Sequence, residues 1–243
     1  MIDALNVVET LYFYEYDYDY VDDVETGGID DEPETRRTVS DASTTSSDNE
    51  NTPRTIENSI IGGRRYYSNN SDSLTGLSNF NLGLLAGNDF LEVIGGVNNF
   101  ANGNDGDDHI IIRGGLGRYL GGASNDRLEV YAAEQGSWVN GNNGMDVVIG
   151  SVEGVTYRGG SENDILQVSA GTLWGDRGAD TFQAVAGAGV AIIQDYTVGE
   201  DFVRGVPGGS FTMSQQGLNY GVEGDSMLVF LGITNASMLT LIS

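Results

Sequence analysis

The chain has 243 residues, with 36 Gly, 3 Pro and no Cys, and its 36 acidic residues against 11 basic ones leave a formal net charge of -25. That balance argues against nucleic acid or anionic membrane as partners and favours cations, while the missing cysteines exclude a disulfide framework and thiolate metal sites. No apolar run reaches the roughly 18 residues of a membrane span, and MIDALNVVET lacks the basic flank and apolar core of a cleavable leader, so an exported chain would leave by another route.

Residues 1–57 hold 16 acids and three Arg, a net of -13, and from Asp22 onward are rich in Thr, Ser, Asp and Asn. They read as a solvated, extended acidic arm with little to bury. Within the arm, YFYEYDYDY alternates: Tyr12, Tyr14, Tyr16, Tyr18 and Tyr20 share one face of an extended strand, and Glu15, Asp17 and Asp19 share the other. A one-sided aromatic strand needs a sheet to lie against, either this chain's own or a neighbour's, which makes self-association through the arm an expectation. Residues 58–76 follow as a connector or N-terminal cap.

From residue 77 the sequence repeats. Aspartates that precede an apolar residue by two fall at Asp89, Asp108, Asp126, Asp146, Asp164 and Asp180, at spacings of 19, 18, 20, 18 and 16. A period near 18 is too short for helical repeats and suits one coil of a β-solenoid built from two half-turns. Two residues after each aspartate come Leu91, Ile110, Leu128, Val148, Leu166 and Phe182; four after come Val93, Ile112, Val130, Gly150, Val168 and Ala184. Strand side chains alternate, so both columns point inward and stack into one core, while Phe90, His109, Arg127, Val147, Ile165 and Thr181 face out. His109, the only histidine, is an outward strand residue on this reading, and no two-histidine zinc motif is possible.

The chemistry lies in the turn before each strand. Loops of Gly, Asn and Asp stacked about 4.8 Å apart set each aspartate near carbonyls of the neighbouring coil. Such a slot offers only hard oxygens, which selects Ca²⁺. The candidate ligands are Asp89, Asp108, Asp126, Asp146, Asp164 and Asp180, with Asn88, Gly103, Asp105, Gly121, Asn125, Asn143, Gly159 and Asp176 from the same turns. The alternate half-turns, such as GGVNNFANG and GGLGRYLGG, carry no equivalent aspartate, so one row of about five ions is expected on one edge. Phe80, Phe100, Tyr119, Trp138 and Tyr157 recur at 20, 19, 19 and 19 in those half-turns, forming either an inward ladder or an outward strip for sugar rings.

These repeats resemble the RTX (hemolysin-type) calcium-binding nonapeptide, glycine-glycine-x-glycine-x-aspartate-x-apolar-x. GNDGDDHII keeps the fourth-position glycine and sixth-position aspartate; GGASNDRLE and GGSENDILQ keep the opening glycine pair but place Ser124 and Glu162 at the fourth position. The resemblance implies an all-β fold, a right-handed parallel β-roll of about six coils over residues 77–186, with a β-rich C-terminal cap over 187–243. IIQDYTVGEDFVRG resembles the family's closing element, which implies that Asp195 and Asp201 hold a further ion and that the C-terminus directs type I secretion. A non-enzymatic, secreted or surface-bound calcium-binding protein follows as the expectation, structural in a cell surface, matrix or virion, or alternatively a polysaccharide-binding module. Whether it is cellular or viral stays open.

Overall fold

The computed structural model describes residues 59–61, 64–67, 69–187 and 189–242. The Tyr-rich and Ser/Thr-rich arm expected over residues 1–57 lies outside them. The described chain is almost wholly β, with one short 3-10 turn at Ala236–Met238. Among the described residues no helix is long and apolar enough to cross a membrane.

The chain winds as a parallel β-solenoid, alternating between two sheets. One has nine strands, all parallel: Ser73–Ser78, Phe90–Gly95, His109–Ile112, Arg127–Val130, Val147–Gly150, Ile165–Val168, Thr181–Gln183, Phe202–Arg204 and Thr240–Ile242. The other has twelve. Its parallel strands are Arg64–Tyr66, Asn81–Gly83, Asn99–Asp105, Gly117–Ala123, Trp138–Asn143, Thr156–Ser161, Gly171–Arg177, Ala191–Ile193 and Asp225–Leu231. Antiparallel edges finish the twelve-stranded sheet: Ser59–Ile61 at one end, and the pair Ser210–Met213 and Gly217–Val222 at the other.

The fold class is the expected one, but there are about eight coils rather than six. The two segments expected to flank the roll contribute rungs of their own. Leu74 pairs with Leu91 ahead of the first expected coil, and Val203 and Leu241 extend the same column beyond Phe182. Every member of the two inward columns, Leu91 to Phe182 and Val93 to Ala184, is buried. Each apolar side chain removed from water in this way stabilises the stack by about 1.5–3 kcal/mol, so the repeating core supplies the cohesion that no isolated coil could.

Gly150 breaks the second column for a steric reason. A Cβ there would lie 2.6 Å from the Tyr157 hydroxyl, because the tyrosine ring from the facing sheet fills that space. At the C-terminal end Phe182, Tyr196 and Phe230 pack ring against ring, with centroids 6.0 and 5.5 Å apart, and close the core.

Candidate metal-binding edge

The six repeat aspartates come together as one file along one edge of the solenoid, each 1–2% exposed. Their order is set by hydrogen bonds between coils. Asp89 N–H donates to Asp108 Oδ1 at 2.8 Å, Asp108 N–H to Asp126 Oδ1 at 2.8 Å, and Asp126 N–H to Asp146 Oδ1 at 2.7 Å. Asp146 N–H donates to Asp164 at 2.8 Å and Asp164 N–H to Asp180 at 2.9 Å. The file also runs past both expected ends. Asp72 N–H donates to Asp89 Oδ1 at 2.6 Å, and Asp180 N–H to Asp201 Oδ1 at 2.9 Å. Asp72 is the rung that the spacing argument missed, although it stands 17 residues before Asp89 and two before buried Leu74.

The second carboxylate oxygen is the chemically informative atom. Oδ2 of Asp89, Asp108, Asp126, Asp146, Asp164 and Asp180 is buried with no hydrogen-bond partner. In Asp108, Asp126, Asp146, Asp164 and Asp180 the carboxylate lies against the glycine five residues earlier, whereas Leu84 stands at that position before Asp89. A Cβ on Gly121 would lie 2.8 Å from Asp126 Cβ and 2.6 Å from the Gly141 carbonyl oxygen, and one on Gly141 would lie 2.6 Å from the Gly159 carbonyl oxygen. Gly103, Gly159 and Gly175 stand in the same relation to Asp108, Asp164 and Asp180. Bare glycine backbone therefore makes room for a carboxylate, and a carbonyl of the next coil converges on the same space.

Burial dominates the electrostatics of this edge. Loss of hydration pushes Asp89, Asp108, Asp146 and Asp180 up to about 7, Asp126 to about 8 and Asp164 to about 9, against an ordinary 3.8. The N–H donated by the preceding coil pulls each value down, and neighbouring carboxylates raise each of them further. A carboxylate with an orphaned oxygen in such a place calls for a proton or a cation.

The residues present fit a hard cation of the calcium type. Among the described residues no three or more His, Cys, Asp or Glu side chains gather into a metal-holding group. An ion here would draw instead on one carboxylate per rung and on backbone carbonyls, a donor set of oxygens alone.

The remaining candidate residues take several roles. Gly103, Gly121 and Gly159 line the carboxylate slot. Asn88 and Asn125 form a second, exposed ladder beside it, their Oδ1 atoms accepting Asp107 N–H at 3.1 Å and Met145 N–H at 2.9 Å, and Asp107 accepts Asn125 N–H at 2.9 Å. Asp105 and Asn143 are exposed at the turn surface. Asp176 pairs with Arg158. Asp195 accepts Gly175 N–H at 2.9 Å and Asp176 N–H at 2.8 Å, so both its oxygens are engaged. Asp201 likewise accepts two amides, from Asp180 and, at 2.7 Å, from Thr197. Asp201 thus belongs to the main file, and Asp195 braces a turn of the neighbouring coil.

The departures at Ser124 and Glu162 also have an explanation. Each turn uses two left-handed positions, and one of the two is always glycine. Asn104 and Gly106 fill them in one coil, at φ 70° and 118°; in the next, Gly122 and Ser124 fill them at 130° and 84°. Gly160 and Glu162 repeat the second pattern at 125° and 81°. The glycine moves by two residues where the fourth position is substituted, so the turn survives.

Among the described residues the opposite edge carries no carboxylate file. Asn99 Nδ2 donates to the Gly95 carbonyl at 3.0 Å and to the Tyr119 hydroxyl at 3.2 Å, and Ser137 Oγ accepts Gly117 N–H at 3.3 Å. The Tyr157 hydroxyl accepts Val152 N–H at 3.2 Å. The aromatic recurrence is therefore split between faces. Tyr119 and Tyr157 are in the core, in register through Val139, whereas Phe100 and Trp138 share the adjacent outward column through Arg118. A single strip of five rings does not form.

On the outside of the nine-stranded sheet, burial raises Glu129 but donors outweigh it. Tyr131, Arg127 at 2.6 Å and His109 at 2.9 Å hold that carboxyl down at about 2. The lone histidine is occupied in this cluster.

No family model matches the chain, and no curated protein matches it. Among solved structures a similar chain is the extracellular lipase LipA from Serratia marcescens, at 15% identity and a TM-score of 0.22. That comparison covers 76% of this chain, which spans 40% of the lipase chain. A likeness of that size carries nothing about activity or ligand. The class that the fold defines is an all-β parallel solenoid with a buried aspartate file.

Proposed function

We propose that the chain is a non-enzymatic calcium-binding β-solenoid of the RTX (hemolysin-type) kind, secreted or displayed outside the cell, that folds with its ions and serves as a rigid structural or assembly element. The observation that carries this reading is the set of six buried Oδ2 atoms without a partner, one per coil. Asp89, Asp108, Asp126, Asp146, Asp164 and Asp180 would hold one row of about five ions, together with carbonyls such as those of Gly121, Gly141 and Gly159. Calcium, when bound, supplies the positive charge that this file lacks. The chain's own part is to exclude water from the carboxylates, fix Oδ1 on the neighbouring amide and leave Oδ2 for the ion. A coil with its aspartate ionised and unmatched resists stacking, so ion binding becomes folding free energy. Calcium is scarce in cytoplasm and abundant outside, so the chain would stay open before export and close afterwards. The glycan-binding alternative has less support, because the outward rings Phe100 and Trp138 already carry arginine over their faces.

Far-UV circular dichroism in chelator, followed by calcium titration, tests the reading. The β signal should be lost in chelator at pH 8 and restored by calcium. Native signal that persists in chelator at that pH would overturn it.

A further inference from the structure

The inward column of the twelve-stranded sheet is uncharged and buried from Leu82 through Ala101, Tyr119 and Val139 to Phe230. The strand register puts one more residue into that column. Arg65, its backbone paired with Ile60 on one side and Leu82 on the other, stands directly ahead of Leu82 and is exposed. There it lines a cavity of about 380 Å³ in the first two coils, near the lower end of the roughly 300–1,000 Å³ of small-ligand pockets. The far end of the core, by contrast, is closed by the rings of Phe182, Tyr196 and Phe230. Leu77, Phe80 and Leu82 give the cavity an apolar wall. Asn79 and Asn81 also line it, but their Oδ1 atoms are engaged by Val97 N–H and Arg64 Nε, each at 3.0 Å. The Arg65 guanidinium is the charged group that remains. No member of the aspartate file lines the cavity, and among the described residues no carboxylate pairs with Arg65. Arg177 and Arg204 share that lack of a carboxylate. What sets Arg65 apart is its place, a cation at a core position with an apolar cavity in front of it.

We infer that this cavity binds a small monocarboxylate with an apolar tail, the carboxylate on the Arg65 guanidinium and the tail against Leu77, Phe80 and Leu82. The inference goes beyond the calcium reading and needs no second copy of the chain. The guanidinium fork matches a carboxylate bidentately, and a hydrogen bond between two charged groups is about twice as strong as one between neutral groups. One cation faces the cavity, and the chain as a whole carries a net charge of -25, so a polyanion is repelled where a monoanion is not. The wall supplies the rest of the selection. A bare anion leaves Leu77, Phe80 and Leu82 wet, whereas an alkyl tail covers them and gains about fourfold in affinity for each methylene removed from water.

Calorimetric titration of octanoate into the full chain, at neutral pH in millimolar calcium, tests this. The wild type should bind octanoate saturably at a single site, and hexanoate about tenfold more weakly for want of two methylenes. Octan-1-ol, which has the tail without the charge, should also bind about tenfold more weakly than octanoate. R65Q should lose about tenfold in octanoate affinity and leave octan-1-ol unchanged, while R65K, which keeps the charge but not the fork, should fall between. Circular dichroism checks the fold of each variant, and the comparison of octanoate with octan-1-ol needs only the wild type if R65Q misfolds. Octanoate bound no better than octan-1-ol, or equally well by wild type and folded R65Q, would overturn the inference. So would uptake that does not saturate, or no uptake at all. None of these results bears on the calcium reading, which the chelator experiment decides.

Discussion

Removing calcium while varying pH separates the buried aspartate file from every other charge in the molecule. A carboxyl lifted from 3.8 to about 7, as at Asp146, makes ionisation cost the folded state about 4 kcal/mol. Asp126 at about 8 and Asp164 at about 9 cost more. The groups interact, so their costs do not simply add, but together they oppose a net stability of only about 5–15 kcal/mol. These values are raised on folding, so the folded chain binds more protons than the unfolded one. In chelator, stability should therefore be greatest near pH 4, fall as pH rises, and be gone by pH 8. With millimolar calcium the melting temperature should hold up to pH 8.5. Urea melts followed by circular dichroism at pH 5 and pH 8.5, with and without chelator, measure the effect. Repeating them in 0.5 M NaCl screens the general repulsion of the acidic surface but leaves burial untouched. Equal stability at the two pH values in chelator would refute the reasoning, because it would mean that the carboxylates stay hydrated in the folded chain.

Three substitutions extend the test. Asp126→Asn keeps an oxygen for Asp108 N–H but removes an acid that must take up a proton or an ion to be buried, so it should raise the chelator melting temperature at pH 5 and reduce calcium uptake, read by calorimetry as fewer ions bound. Gly121→Ala drives a methyl group towards the Gly141 carbonyl and the Asp126 carboxylate and should cost about 1–3 kcal/mol in a urea melt. Glu162→Asn suits the left-handed φ of 81° better and removes a negative charge that raises Asp146, so it should stabilise the calcium-free chain by about 1 kcal/mol at pH 7.

The coil-to-coil order was legible in the sequence because aspartate and apolar residue recur at a fixed offset, and that offset is what the strand alternation reads. The file of six aspartates and the two inward columns followed directly. The ends were harder. Asp72 keeps the spacing and the offset but precedes a strand whose register slips between Leu74 and Leu77, so its second apolar column is broken, and Asp201 follows its predecessor by 21 residues, outside the period. The aromatic recurrence failed for a geometric reason: Phe100, Tyr119, Trp138 and Tyr157 recur every 19 residues while the coils between them are 18 or 20 long, and one residue turns a strand side chain from core to solvent. Tyr119 pairs with Val139 rather than with Trp138, and that single step separates the two faces.

Because each rung donates its aspartate amide to the next and takes nothing from farther away, any whole turn can be copied or deleted without retuning the others. The molecule is in effect a gauge, adjustable in increments of about 4.8 Å for every 18 or so residues. Natural variation in its reach would then be read as a difference in the tally of turns, with both ends unchanged.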